Sequence, residues 1–380
     1  MSAAARAVGR AVTRVAFATR RLAACRSVAL SGAAFGAALL GASASLAAAD
    51  EPLSFGFLEH PPGRLVTIGA TRLHLHCRGP EGAGEPTVLF ESGLGGNGLE
   101  WSPVAEPLAA RTRVCSYDRA GYGWSDPGGH DRRAGRLAGE LSRLIDAAGV
   151  SGPFVIVAHS FGGLVARLVV EERADVVGLV LLDSSHEEQF ARLEASGGRP
   201  MVPRGRQFVI SQNEPPRSLP EDVRRKLAAF NRMRKTYHAT HGEMAGFLAS
   251  TDEVRRARAR RGAPYPVPVT VVRRGRDLYA GKRTGAAKTA AWIELQEDLA
   301  TLGSPGRLVV AEGSGHHVHA DAPALVVAEI ERLLERVPAA APVRGAGTDG
   351  APSAADDVES EASGERLDAV AAPDADGVAR

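Results

Sequence analysis

From about residue 64 to residue 336 the chain alternates short apolar runs with stretches whose apolar positions recur every three or four residues. The short runs are RLVTIG, RLHLHCR, TVLFES, RVCSYD, FVIVAHS, VVGLVLLDS, PVTVVRRG and RLVVAEG. Each has strand length, and the later ones are continuous in Val, Leu and Ile rather than alternating. A strand written that way is apolar on both faces, as a parallel sheet covered by helices on both sides requires. The first two runs are separated only by Gly69-Ala70, which predicts a hairpin. Helical patterns lie between the later runs, for example over Ala134–Ala148 and Ala322–Arg336, the second with Pro323 near its start. Strands alternating with helices predict an α/β fold, a mostly parallel, doubly wound sheet of about eight strands.

One interval breaks the rhythm. Residues 187–264 carry helical patterns and no convincing strand, and they are far too many for a structureless loop. They read as a helical cap inserted between a first core part, 50–186, and a second, 265–338. The cap is rich in arginine, with RRARARR at 255–261, which predicts a solvated basic face.

The two ends read as additions to this body. Residues 1–49 contain no Asp or Glu, carry Arg6, Arg10, Arg14, Arg20, Arg21 and Arg26, and then run uncharged from Ser27 to Ala47-Ala48-Ala49. A positive segment, a soft apolar segment and a small-residue cleavage site describe a secretory signal. The rival reading is a membrane anchor, since the run reaches the roughly 20 residues that span a bilayer. Its Ala, Gly and Ser content makes it a weak span. The expectation is export to a periplasmic or extracellular location, with the N-terminal segment either cleaved or holding the protein to a membrane. Residues 339–380 are small and acidic, with almost no large apolar side chains, and predict a disordered tail.

Composition adds exclusions. The formal net charge is +2 and aromatic residues make up 5%, so nothing overall suggests a nucleic-acid binder. Two cysteines lie in the body, Cys77 and Cys115, both in strand-like segments. Outside the cytoplasm they are open to disulfide formation; two small buried residues on neighbouring strands is the other reading.

The candidate chemistry centres on Ala158-His159-Ser160-Phe161-Gly162-Gly163, where an apolar strand meets a helical pattern. A strand turning sharply into a helix strains the residue at the corner and needs small neighbours two places away. Ala158 and Gly162 take those places around Ser160. A serine so placed projects its hydroxyl above the carboxyl edge of the sheet, where open α/β sheets bind ligands. It needs a base, and His316 in EGSGHHVHADAP follows a strand and a glycine-rich turn. His317 and His319 are close rivals, and His159 reads as packing beside the serine. A carboxylate should hold the other imidazole nitrogen. Asp277, in the turn after PVTVVRRG, is the expected acid, with Asp183 at the end of VVGLVLLD the alternative. The order Ser160, Asp277, His316 is the one such an architecture requires. Oxyanion donors are expected from the backbone N–H of Phe161 and of Leu94, the latter flanked by Gly93 and Gly95.

With these residues assembled, the chain resembles the α/β-hydrolase family over residues 64–336, specifically its capped, serine esterase-like branch. VCSYDRAGYGWSD (114–126) is similar to the family's Asp-x-x-Gly-x-Gly-x-Ser segment, which shapes a loop beside the site, so Asp118 and Ser125 are assigned no catalytic role. Glu91-Ser92-Gly93 stands where many relatives carry His-Gly. Serine at the nucleophile position argues against the epoxide hydrolase and haloalkane dehalogenase branches, whose pattern places aspartate there.

The expected activity is cleavage of a carboxylic ester, or a related small acyl substrate, through an acyl-enzyme. Amide or peptide cleavage, C–C bond hydrolysis and perhydrolysis share the constellation, and a non-catalytic binding member is the reading from another class. No cofactor and no metal are expected: the three histidines His316, His317 and His319 lack the further ligands that metal sites recruit.

Overall fold

The computed structural model describes residues 55–81, 84–197 and 214–338; the predicted signal or anchor and the acidic tail lie outside the described residues. Eight strands form one sheet in the order β1-β2-β4-β3-β5-β6-β7-β8. They are β1 (Arg64–Ile68), β2 (Thr71–Arg78), β3 (Thr87–Glu91), β4 (Val114–Tyr117), β5 (Phe154–His159), β6 (Val176–Leu182), β7 (Val269–Arg274) and β8 (Gly306–Ala311). The first two make the predicted hairpin, and β2 also runs antiparallel to β4. Every later pairing is parallel.

Every residue of β3, β4 and β5 is buried. The cause is a core on each face. On one side, α2 (Ala134–Ala148) and α3 (Gly162–Glu172) bury Leu137, Leu141, Leu164 and Val165 against Leu89, Ile156 and Leu179. On the other, α1 (Ser102–Leu108) and the C-terminal helix Pro323–Leu334 bury Val104, Leu108, Ile330 and Leu333 against Val88, Val155 and Val180. Continuous apolar strands and two-sided coverage are thus one fact seen at two levels. Cys77 of β2 and Cys115 of β4 are direct partners in the antiparallel register and are joined by a disulfide.

Chain order reverses between β3 and β5: β4 lies on one side of β3, and the next strand, β5, on the other. Their carboxyl ends therefore open a crevice, with the Ser92–Gly96 loop on one wall and Ser160 on the other.

Between β6 and β7 the described residues contain α4 (Gln189–Ala195), α5 (Glu221–Asn231) and α6 (Arg234–Arg261), and no strand. Helix α6 buries Thr236, Ala239, Thr240, Glu243, Ser250, Thr251, Val254 and Ala257, a face at helical spacing made mostly of small and polar residues. Its basic end is less free than the sequence suggests. Arg255 pairs with Glu188 and Asp252, Arg258 with Glu187 and Asp298, and Arg261 with Glu171.

Candidate active site

Strand β5 delivers Ser160 to the corner between sheet and helix. Its backbone has φ 52°, in the left-handed region that costs energy for any residue with a side chain. The Ser160 N–H donates to the Leu182 carbonyl at 3.1 Å, which ties the corner to the end of β6. Close approach explains the glycines behind it. A methyl on Gly162 would lie 2.5 Å from the Ser92 carbonyl oxygen, and one on Gly163 would lie 1.8 Å from Ser184 Oγ.

His316 stands in the loop after β8. Its Nε2 is 2.9 Å from Ser160 Oγ and its Nδ1 is 2.6 Å from Asp183 Oδ2. The loop is braced by the Gly315 N–H, which donates to Asp321 Oδ2 at 2.8 Å, and by His159, whose Nε2 lies 2.9 Å from the His316 carbonyl oxygen.

The acid on this imidazole is Asp183, not Asp277, and the expectation for Asp277 is corrected here. Asp277 is exposed, and its Oδ1 accepts from the Tyr279 N–H at 2.8 Å and from Thr289 Oγ1 at 2.5 Å, closing a local turn. It lies three residues beyond the end of β7, so the chain has already left the sheet edge. Asp183 follows β6 directly and takes φ 38°, a second strained corner beside that of Ser160. It is fully buried and heavily bonded. Arg274 Nη1 donates to its Oδ2 at 2.5 Å and Trp292 Nε1 to its Oδ1 at 2.8 Å. Burial alone would raise its pKa, but His316, Arg274 and Trp292 outweigh it and hold the carboxyl below its ordinary range.

Ser160, His316 and Asp183 thus form one hydrogen-bonded line at the carboxyl edge of the sheet. In such a line the imidazole is placed to accept the hydroxyl proton, and the carboxylate to fix the tautomer and balance the charge that develops.

Residues 88–329 match the profile of the Alpha/beta hydrolase family. The chain belongs to that family. Among curated proteins, an AB hydrolase superfamily protein of Gibberella zeae is 29% identical over 323 residues, covering 74% of this chain and 98% of its own. YqjL of Bacillus subtilis, an uncharacterized protein, is 25% identical over 265 residues, covering 69% of this chain and 88% of its own. Among solved structures, epoxide hydrolase VrEH1 from Vigna radiata superposes with TM-score 0.56 at 20% identity, covering 73% of this chain and 99% of its own. The enol-lactonase from Burkholderia xenovorans LB400 does so with TM-score 0.52 at 18% identity, covering 72% and 100%. These two likenesses speak for the fold.

The remaining expected residues of this alpha/beta hydrolase take different places around the crevice. A cavity above the serine is lined by Leu94, Ser160, His316, His317, Met244 and Phe247, among others. Leu94 belongs to its wall, while Phe161 is fully buried directly behind Ser160. A methyl on Gly93 would lie 3.3 Å from Ser160 Cβ, so the Gly93–Leu94 peptide passes next to the serine. His319 is fully buried against Trp101, with ring centroids 4.7 Å apart, and has no path to Ser160 Oγ. Asp118 accepts from the Gly98 N–H at 2.9 Å and the Trp124 N–H at 3.0 Å, and lies 2.9 Å from His74 Nδ1, a loop-shaping role.

Among the described residues one set has metal-ligand chemistry, His159, His317 and His319, with nitrogens within 4.8 Å of one another. Nitrogens around a tetrahedral ion with bonds of about 2.0–2.1 Å stand roughly 3.3 Å apart. The three rings pack on one another, with centroids 4.7–6.0 Å apart.

Proposed function

We propose that this hydrolase cleaves carboxylic esters by two-step acyl transfer, with Ser160 as nucleophile, His316 as general base and acid, and Asp183 as the carboxylate partner. The observation that carries the reading is the line Ser160 Oγ–His316 Nε2 at 2.9 Å and His316 Nδ1–Asp183 Oδ2 at 2.6 Å. Nε2 takes the serine proton as Oγ bonds to the ester carbonyl carbon. The N–H groups of Phe161 and Leu94 receive the oxyanion. His316 then gives the proton to the departing alcohol oxygen as the C–O bond breaks, leaving an acyl-serine. Water, deprotonated by His316, adds to that carbonyl, and the acid departs with Ser160 restored.

A serine here favours acyl transfer over epoxide opening. Attack by serine on an epoxide would leave an ether, which water cannot hydrolyse through a carbonyl. Leu94, Leu227, Met244 and Phe247 give the cavity an apolar side that suits an organic acyl or alkyl group, while Glu100 and Glu214 also line it. We also read the protein as exported, a reading supported by the Cys77–Cys115 disulfide and by the pattern of residues 1–49.

The test is mass labelling with a fluorophosphonate, followed by turnover of p-nitrophenyl esters of rising chain length beside an aminoacyl anilide. A single adduct on Ser160, lost in Ser160→Ala, with ester turnover exceeding that of the anilide, is expected. Folded protein that takes no label, or that turns over only the anilide, would overturn the proposal.

A further inference from the structure

The loop that carries Leu94 is held by one arginine. Arg119, in the loop after β4, is buried, and all five of its N–H groups are accounted for. Nη1 donates to Glu91 Oε1 at 2.6 Å and to the Ser92 carbonyl at 2.7 Å. Nη2 donates to the Gly93 carbonyl at 2.7 Å and to Glu243 Oε2 at 3.1 Å. Nε donates to Glu243 Oε1 at 2.9 Å. The guanidinium therefore joins the end of β3, two consecutive carbonyls of the next loop, and one carboxylate of helix α6.

Peptide geometry makes this more than packing. In a trans peptide the C=O and N–H point in opposite directions. The Gly93 carbonyl and the Leu94 N–H belong to one peptide, so fixing the first on Arg119 aims the second away from Arg119. That carbonyl also accepts the Gly96 N–H at 3.1 Å, which closes the turn. The Glu91 carboxyl is buried, accepts also from Tyr117 Oη at 2.5 Å, and lies against Arg119. Glu243 is fully buried as well, and is further bonded by Arg132 Nη2 at 3.0 Å and Tyr122 Oη at 2.8 Å.

We propose that Glu243 of helix α6, acting through Arg119, is a positioning residue that orients the Gly93–Leu94 peptide, so that seating of the α6 helix on the core and completion of the oxyanion hole are one event. The inference rests on the acyl-transfer reading. A carboxylate on a helix remote from the reacting atoms then sets the angle of a backbone donor that touches them.

The experiment compares wild type, Glu243→Gln and Arg119→Lys with Tyr122→Phe, which removes one bond from Glu243 but leaves the Arg119 fork intact. Each is melted, labelled at Ser160 with a fluorophosphonate, and assayed on p-nitrophenyl butyrate and with a trifluoromethyl ketone as transition-state mimic. Glu243→Gln and Arg119→Lys are expected to lose about ten- to a hundredfold in kcat with KM within threefold, and to lose ketone affinity in proportion. Tyr122→Phe should lower the melting temperature with kcat within threefold. The inference is overturned if the two variants keep kcat within threefold. It is equally overturned if their losses track those of Tyr122→Phe, or if neither folds while Tyr122→Phe does, which would make the cluster purely structural. A wild type that neither labels nor turns over ester would instead sink the acyl-transfer reading.

Discussion

Asp183 Oδ2 lies 2.6 Å from His316 Nδ1, and Asp183 reaches the histidine from the end of β6 rather than from β7. Replacing it with Asn keeps the shape but removes the charge that balances the imidazolium and favours the wrong tautomer. Asp183→Asn is expected to lower kcat by about a thousandfold or more. Asp277→Asn, on an exposed turn, should leave kcat within about threefold. Steady-state kinetics on a p-nitrophenyl ester decide the matter. Equal losses in both variants, or a larger loss at 277, would remove Asp183 from the mechanism.

That assignment marks the boundary of what the sequence makes legible. The central strands β3, β5, β6 and β7 are legible because burial on both faces writes them as apolar runs rich in Val and Leu, and Ser160 and His316 because each follows an apolar run at a glycine-rich corner. Asp183 and Asp277 both follow valine-rich strands, and nothing in their neighbours separates them. What separates them is backbone: the left-handed φ at 183, and the three residues by which the chain overruns β7 before 277. Helix α6 hides its function for another reason. Its buried face is mostly Thr, Ala, Ser and Glu, with only Met244 and Val254 as large apolar residues, too few to mark a hydrophobic period, and Glu243 meets Arg119 across 124 positions of chain. Glu91 shows in the sequence only as a departure from pattern; its partner is found only in three dimensions.

The elbow has its own test. A methyl on Gly163 would sit 1.8 Å from Ser184 Oγ and 2.9 Å from Ser184 Cβ. Overpacking of this kind costs about 1–3 kcal/mol, and here the strain falls on the corner that places Ser160. Gly163→Ala should lower the melting temperature by about 5 °C and kcat at least tenfold. Adding Ser184→Gly, which clears both atoms, should recover most of each loss. A double variant as impaired as the single one would show that the contact is not the cause.

The disulfide makes a separate prediction. Cys77 and Cys115 close a loop with a sequence separation of 38 across β2 and β4. A crosslink of that size stabilises by about 2–4 kcal/mol, mainly by restricting the unfolded chain. The variant Cys77→Ala/Cys115→Ala should melt about 5–10 °C lower, and wild type in strong reductant should match it. Coincident melting curves with and without reductant would mean that the crosslink contributes nothing.

Stability should also fall in mild acid, through buried histidines. His159 is held far below its ordinary pKa by burial and by the neighbouring His319, His316 and His317, and His317 is lowered to about 3 by burial and then by His316 and His319. In the unfolded chain both return to about 6.5. Between those values the unfolded state binds more protons, so their contribution is complete above pH 6.5 and is lost as pH falls toward the folded values. At pH 5 the loss is on the order of 2 kcal/mol for His317. Asp183 and Glu243 have depressed pKa values, burial opposing and their cationic partners prevailing, so their contributions are lost as pH falls through the carboxylate range of the unfolded chain toward the folded values. The interval from pH 6.5 to 5 is therefore governed mainly by the histidines, with Glu91, raised by burial, acting in the opposite direction. Urea midpoints at pH 7 and pH 5 should differ clearly, and His317→Asn should remove about a third of the difference, the rest lying with His159 and with His76, which burial lowers to about 4. Equal midpoints for wild type at the two pH values would show that the rings accept protons without opening the fold.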